Sequence, residues 1–161
     1  MMRFILGLIF SFFCMSLTAQ PSRDVLHIEH DISAIRQNLD SYLKIVQDRW
    51  ADSCQGGSRE GYFKGKDIQM LALNNFDNTG IKRVEYYFKN KKLIYVVQDH
   101  FEFDFEKIIM KEEKLYFHDR KLVKWVDAEN KEISPDSDVF KTVNSKVFEV
   151  VENLVFAMRG E

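Results

Sequence analysis

A seven-residue pattern recurs three times in this chain and constrains its fold more than any other feature. The pattern is Tyr-Phe-x-(Gly/Asn/Asp)-(Lys/Arg)-x-apolar, and its copies begin at Tyr62, Tyr87 and Tyr116. In each copy an aromatic strand end meets a residue that tolerates positive φ, and an apolar segment follows. Repeats of this kind are stacked supersecondary units that share one core. We therefore expect three successive β-hairpins, which give an antiparallel meander of about six strands.

The segments on either side of these hairpins indicate helices. Apolar residues recur at spacings of three and four from Ser22 to Trp50, which is the stripe of an amphipathic helix. A second stripe follows Ser134 and Pro135, which are typical of a helix start, and it ends near Gly160. The sequence thus predicts an α+β domain with an N-terminal helix, the meander and a C-terminal helix. Both helices are expected to pack on one face of the sheet.

The segment 101–106 alternates phenylalanine with acidic residues. As a strand it has an apolar face and an acidic face. Outward like charges over buried aromatic residues are typical of an edge strand that resists aggregation. The alternative is that the acidic row, formed by Glu102, Asp104 and Glu106, binds a cation, a basic partner or a glycan.

The repeated hairpins over residues 60–127 resemble MORN-type repeats and related antitoxin-like hairpin modules of bacteria. They are also similar to small exported bacterial proteins of unknown function that carry Tyr-Phe hairpins. The chain lacks the regular glycines of true MORN repeats. The resemblance implies a recognition surface rather than catalysis, and it assigns no catalytic residue.

The first residues of the chain are typical of a bacterial export signal. Arg3 supplies a positive charge, residues 4–17 form an apolar block, and Ala19 is a small residue before Gln20. The block is shorter than the ~20 apolar residues of a membrane-spanning helix. We predict a signal peptide at 1–19 and a single α+β domain at 20–161, periplasmic or secreted, with no membrane span after cleavage. A retained N-terminal anchor is the alternative.

Composition and motifs argue against several classes of function. The formal net charge of −2 disfavours non-specific binding to nucleic acid, which needs a basic face. The chain carries no phosphate-binding loop, no Ser-His-Asp order, no Cys-x-x-Cys motif and no dinucleotide fingerprint. We therefore predict no cofactor, and an enzyme is the less expected class.

Two groups of residues are candidates for chemistry. Cys54 would be the only thiol left after cleavage, and it follows a predicted helix end, where the dipole disfavours a thiolate. His27 and His30 could approach one metal ion, but zinc needs three or four ligands and the spacing differs from that of His-Glu-x-x-His. The predictions for these residues are an inert or dimer-linking thiol and a polar helix face.

The aromatic residues of the hairpins are the candidate partner surface. Matching repeat positions should place one tyrosine of each copy on the same face of the sheet, and Trp125 extends one of the two faces. The candidate surface comprises Tyr62, Tyr87, Tyr116 and Trp125. The leading hypothesis is an exported, non-catalytic module that binds an unknown protein or cell-envelope ligand through an open sheet face. The alternatives are a periplasmic enzyme or metal-binding protein that uses Cys54 or His27 and His30, and an inhibitor or immunity-type protein.

Overall fold

The chain folds as an α+β unit built on one antiparallel sheet. The computed structural model describes residues 22–50, 56–77, 80–104 and 107–160, so the predicted signal peptide and Cys54 lie outside the described residues. The elements are α1 (Arg23–Gln37), a short 3-10 turn (Leu39–Ser41), β1 (Leu43–Trp50), β2 (Gly56–Lys64), β3 (Asp67–Asp77), β4 (Gly80–Lys89), β5 (Lys92–Asp104), β6 (Lys107–His118), β7 (Lys121–Val126) and α2 (Asp138–Arg159). The strands lie in the sheet in chain order, so the predicted meander is confirmed.

Each copy of the repeat forms the same local structure. The copies close hairpins with two-residue turns, and both turn residues have positive φ at Asn90–Lys91 and at Asp119–Arg120. Such turns match the twist of the flanking strands. The register shifts by one residue between Tyr and Phe in every copy, at 62/63, 87/88 and 116/117. Turn and bulge together explain why the pattern recurs in the sequence.

The described strands nevertheless number seven, so the prediction of about six strands from three hairpins is wrong in its count. The additional strand, β1, comes from a segment predicted to be helical. Helix α1 ends at Gln37, where the Asn38 side chain donates to the Ala34 carbonyl (2.8 Å). Such side-chain bonds favour helix ends over helix interiors. The β-branched residues Ile45 and Val46 then pair with β2, because that strand offers backbone partners the isolated segment lacks.

The C-terminal helix is confirmed with a later start. Ser137 is the N-cap, and its hydroxyl accepts from the Phe140 amide (3.3 Å). The predicted cap Ser134 instead forms the preceding turn, where its carbonyl accepts from the Ser137 amide (3.1 Å). The helix ends as expected at Gly160, which adopts a left-handed conformation.

The two helices cover opposite faces of the sheet, so the prediction that both pack on one face is wrong. Helix α1 buries Val25, Ile28, Ile32 and Ile35 against one face. Helix α2 packs on the other face over a larger cluster, formed by Phe63, Ile68, Leu71, Val84, Tyr86, Phe88, Leu93, Val96, Leu115, Phe117, Leu122 and Trp125. Since side chains alternate between faces, the Tyr-Phe pairs make both faces apolar. A sheet that is apolar on both sides needs a cover on each.

The described part of the phenylalanine-rich segment at 101–106 belongs to an inner strand of the sheet, not to an edge strand. It belongs in part to β5, which pairs with β4 on one side and with β6 on the other. The edges of the described sheet are β1 and β7. The edge-strand interpretation of this segment is therefore wrong, and residues 105 and 106 lie outside the described residues.

Candidate functional site

The tyrosines of the three repeats lie in one row across the sheet, on the face covered by α1. Tyr62, Tyr87 and Tyr116 share this row with Met70 and Tyr95, each in register with its neighbour on the next strand. The Tyr95 ring lies 5.7 Å from that of Tyr87 and 5.0 Å from that of Tyr116. Tyr87 is 1% exposed, Tyr116 is buried and Tyr62 is partly buried. A partner could reach Tyr87 and Tyr116 only by displacing α1, so these tyrosines belong to the core.

Trp125 is also buried, on the opposite face. Its indole Nε1–H donates to a carboxylate oxygen of Glu113 (2.5 Å), and its ring centroid lies 6.4 Å from that of Phe140 in α2. The structure therefore divides the four predicted surface residues between two cores. Tyr87, Tyr116 and Trp125 therefore do not form an exposed partner surface, and Tyr62 is partly buried.

An ionic cluster fastens α1 to the tyrosine row. The Tyr87 hydroxyl accepts from Arg36 Nε (2.7 Å) and donates to Glu85 Oε2 (2.5 Å). Glu85 also accepts from Arg83 Nε (2.8 Å). Burial alone would raise the pKa of Glu85, but the hydrogen bonds from Tyr87 and Arg83 outweigh it and lower the pKa. Glu85 is therefore ionised at neutral pH, and Arg83 and Arg36 pair with its negative charge.

Asp99 lies beside this cluster on the same sheet face, but its carboxylate has fewer polar partners. Its Oδ1 atom is buried and has no hydrogen-bond partner among the described residues. Burial raises the pKa of Asp99, and the carboxylates of Glu112 and Glu85 raise it further. The charged form of Asp99 is thus a cost to the folded state.

The predicted histidine pair lies on the exposed side of α1. His27 and His30 line a shallow hollow of about 500 Å³ together with His118 from β6. The side chain of His30 is largely exposed, and His118 lies 3.8 Å from Asp24. Among the described residues, no three His, Cys, Asp or Glu side chains come together in an arrangement that could hold a metal ion. Cys54 lies outside the described residues.

A groove of about 640 Å³ lies on the other side of the sheet, between the C-terminal half of α2 and the last two hairpin turns of the repeats. We call it the α2 groove. Its apolar wall is made by Phe88 and Leu93 from the sheet and by four side chains of α2, namely Phe148, Val151, Val155 and Phe156. Phe156 is 59% exposed at the mouth of the groove. Small-molecule sites typically enclose about 300–1,000 Å³, so the α2 groove has the size of one.

The rim of the α2 groove is basic. Lys91, Lys92, Arg120 and Arg159 contribute to its lining, whereas Glu152 is the single acidic lining residue. Two of the cations occupy turn positions of the repeat, Lys91 in one hairpin and Arg120 in the next. The repeated turn chemistry therefore places positive charge at one end of the sheet, around an apolar wall.

The rim cations hold only exposed acidic partners. Lys91 lies 3.5 Å from Asp67, and Lys92 lies 2.7 Å from Asp119. Arg120 contacts Glu152 (2.9 Å), and its guanidinium carbon lies 4.7 Å from the centroid of the Phe148 ring. Exposed ion pairs contribute about 0–1 kcal/mol each. An anionic ligand could therefore replace these partners at little cost.

A second groove, of about 520 Å³, adjoins the first at Lys91 and Arg159. We call it the β1 groove, because its outer wall includes Leu43 and Ile45 of the edge strand. Leu43 is 63% exposed. The two grooves flank the C-terminal end of α2, so that end of the molecule carries both apolar and basic side chains.

The glycine at position 61 allows α2 to lie this close to the sheet. A Cβ atom at Gly61 would lie 2.7 Å from the Phe63 ring and 2.8 Å from the Met158 methyl group. Real Cβ atoms do not approach other atoms so closely, so a side chain here would force the Phe63 ring and the Met158 side chain at the end of α2 to shift. Gly61 thus leaves room for the contact between the end of α2 and the sheet.

Neither groove is predicted from the sequence above, although two signals in the sequence point to them. The fifth position of the repeat is always basic, which places Lys66, Lys91 and Arg120 at the same end of the meander. In addition, α2 carries two phenylalanines, of which Phe148 packs on the sheet-facing core and Phe156 is exposed. An exposed aromatic residue beside the core-facing side of a helix indicates a further contact surface.

Comparison with known proteins does not assign the chain to a family. No family model matches it. No curated protein and no solved structure matches it either. Neither helix of the described residues combines the length and the apolarity needed to cross a membrane.

Proposed function

We propose that the protein is an exported, non-catalytic binding module of the bacterial envelope and that the α2 groove binds a single-chain amphiphile with an anionic head group. The observation that carries this proposal is the pairing of an apolar groove wall with a basic rim. The acyl chain would lie against Phe148, Val155 and Phe156. The head group would lie among the rim cations Lys91, Arg120 and Arg159.

The chemistry of the lining favours this ligand class over a purely polar one. Burial of apolar surface contributes about 25 cal/mol per Å², so affinity would come mainly from the acyl chain. The rim cations would select the sign of the head group, because charge complementarity gives specificity more than raw affinity. Arg120 is held over the Phe148 ring, which positions one of these cations before the ligand arrives.

A fluorescence titration tests the proposal directly. A dansyl-labelled undecanoic acid should show a saturable rise in emission when it is mixed with the purified protein. Dodecanoate should displace it, whereas dodecyltrimethylammonium, which has the same chain and a cationic head group, should not. The proposal is overturned if the probe does not saturate or if both competitors displace it equally.

Matched variants locate the binding to the α2 groove. Arg159→Gln should weaken binding about tenfold, since a charge-assisted contact is lost. Lys141→Gln, an exposed cation near the start of the same helix, should leave the affinity unchanged. Phe156→Ser should also weaken binding about tenfold through lost apolar contact, whereas Val139→Ser, equally exposed but remote, should not.

Export is a separate part of the proposal and has a separate test. Fractionation of producing cells should place the protein outside the cytoplasm, and mass spectrometry should find a mature chain that begins at Gln20. A chain that retains residues 1–19 would contradict it. We also propose that the likeness to MORN-type repeats reflects a shared hairpin unit, which the common turn and bulge of the three copies support.

A further inference from the structure

The edge strand β1 is long for an exposed edge and carries exposed apolar side chains as well as charged ones. It spans eight residues, Leu43–Trp50, and within the described sheet it pairs only with β2. Leu43 and Val46 are 63% and 51% exposed. Natural edge strands are normally short, charged or covered, because an open edge invites pairing with another chain.

The other edge of the sheet, β7, is both short and covered. Strand β7 is six residues long. The chain that follows it folds back, so that the Ile133 amide donates to the Trp125 carbonyl (2.9 Å) and Val126 bridges to Glu132. The contrast leaves β1 as the open edge of the described sheet.

We infer that β1 pairs with the β1 strand of a second copy of this chain, antiparallel and with Val46 opposite Val46. The sequence of β1 is self-complementary about this residue. Lys44 and Asp48 lie two positions before and two positions after Val46, on the same face of the strand. In the proposed register, Lys44 of each copy is therefore opposite Asp48 of the other copy, which gives two such pairs. Shifting the register by one residue in either direction leaves Lys44 opposite no acidic residue.

The charged side chains of the edge fit this pairing. Asp48 is exposed and makes no ion pair with any residue that the structure describes. Lys44 already lies 3.3 Å from Glu60, so in the dimer it would sit between two carboxylates. Opposite charges on paired strands contribute about 0.2–1 kcal/mol for each pair.

The apolar residues of the edge also fit. The two Val46 side chains would face each other on one side of the joined sheet. On the other side, Ile45 of each copy would lie diagonal to Ile45 of the other, at about 7–8 Å between backbones. Pairing through a two-fold axis uses the same edge on both copies, so the assembly closes at a dimer.

Light scattering during size-exclusion chromatography tests the inference. The protein should change from monomer to dimer as its concentration rises to about 200 µM, since a single strand pair is a small interface. Val46→Lys should abolish the dimer, because two lysines would then be opposite each other. Val139→Lys, on an exposed position of α2, is the matched control and should not. Circular dichroism should give the same folded spectrum for the wild type and for both variants.

A charge-swap mixture tests the register itself. Asp48→Lys and Lys44→Asp should each be monomeric, because every cross-strand pair becomes a pair of like charges. An equimolar mixture of the two variants should recover a heterodimer, since both pairs are then of opposite charge. In a Cys54→Ser background, Val46→Cys should form a disulfide-linked dimer on oxidation and Leu43→Cys should not. A wild-type monomer at all concentrations, or a dimer insensitive to Val46→Lys and Asp48→Lys, overturns the inference. Neither result bears on the α2 groove, which does not depend on the dimer.

Discussion

Removal of the Tyr87 hydroxyl tests how strongly the ionic cluster holds α1 to the sheet. The substitution Tyr87→Phe keeps the buried ring and deletes two hydrogen bonds, one from Arg36 (2.7 Å) and one to Glu85 (2.5 Å). Hydrogen bonds to charged groups contribute about 1.5–3 kcal/mol each. Arg36 is half exposed and water can replace its bond, whereas the Glu85 side chain is 14% exposed and keeps only its arginine partners. The Glu85 bond therefore sets the magnitude, and we expect a loss of about 2 kcal/mol of unfolding free energy.

Urea unfolding at pH 7 measures this loss, and a thermal scan should show a Tm lower by roughly 8 °C. Tyr86→Phe is the matched control, because Tyr86 is also buried but its hydroxyl bonds to no described residue. It should cost less than about 1 kcal/mol. A Tyr87→Phe protein no less stable than the Tyr86→Phe protein would refute the reasoning.

The pH dependence gives a second measure of the same contact. The pKa of Glu85 is lower in the folded chain than its ordinary value of 4.5, so ionised Glu85 stabilises the fold above that value. This contribution is lost as the pH falls through the folded pKa. The stability difference between wild type and Tyr87→Phe should therefore shrink as the pH is lowered below 4.5. A difference independent of pH would mean that the hydroxyl acts without Glu85.

Three further outcomes follow from the described contacts. Asp99→Asn should raise the unfolding free energy at pH 7 by up to about 1 kcal/mol in a urea titration, because the raised pKa of Asp99 marks its charge as destabilising. The difference in stability between the variant and wild type should shrink at acid pH, where Asp99 is protonated. A variant less stable than wild type at pH 7 would contradict this. Gly61→Ala should lower the unfolding free energy by about 1–3 kcal/mol, because the methyl group overpacks against Phe63 and Met158. It should also weaken binding of the dansyl-labelled fatty acid by moving α2. An unchanged Tm would show that α2 accommodates the methyl group. Lys91→Gln should weaken binding of that probe while leaving Tm within about 2 °C of wild type, since exposed ion pairs contribute little; equal binding would remove Lys91 from the head-group site.

Local chemistry determined the part of the fold that the sequence predicts well. The turn residues of each repeat favour positive φ within a few residues of chain, whatever the rest of the molecule does. The hairpins at Gly65, Asn90 and Asp119 were therefore predictable. The stripe from Val25 to Ile35 likewise needs only an apolar surface to pack on, and the sheet supplies it.

Competition between distant segments decided the rest. Residues 43–50 fit a helical stripe about as well as a strand, and pairing with β2 settles the choice, because the backbone partners come from residues that are distant in sequence. The Tyr-Phe pairs predict that both faces of the sheet are apolar. Whether each face contacts a helix or solvent depends on where α1 and α2 pack. That placement buried Tyr87, Tyr116 and Trp125, which their positions in the repeats and the last strand suggested as a binding surface.

The candidate site divides in the same way. Residue type and local spacing account for the basic turn residues and for the two phenylalanines of α2. Lys91 and Arg120 come to lie beside Phe148 and Phe156 because long-range packing on one sheet face brings α2 and the hairpin turns together. The open edge at β1 is also a tertiary property, since an edge exists only once the order of strands is set.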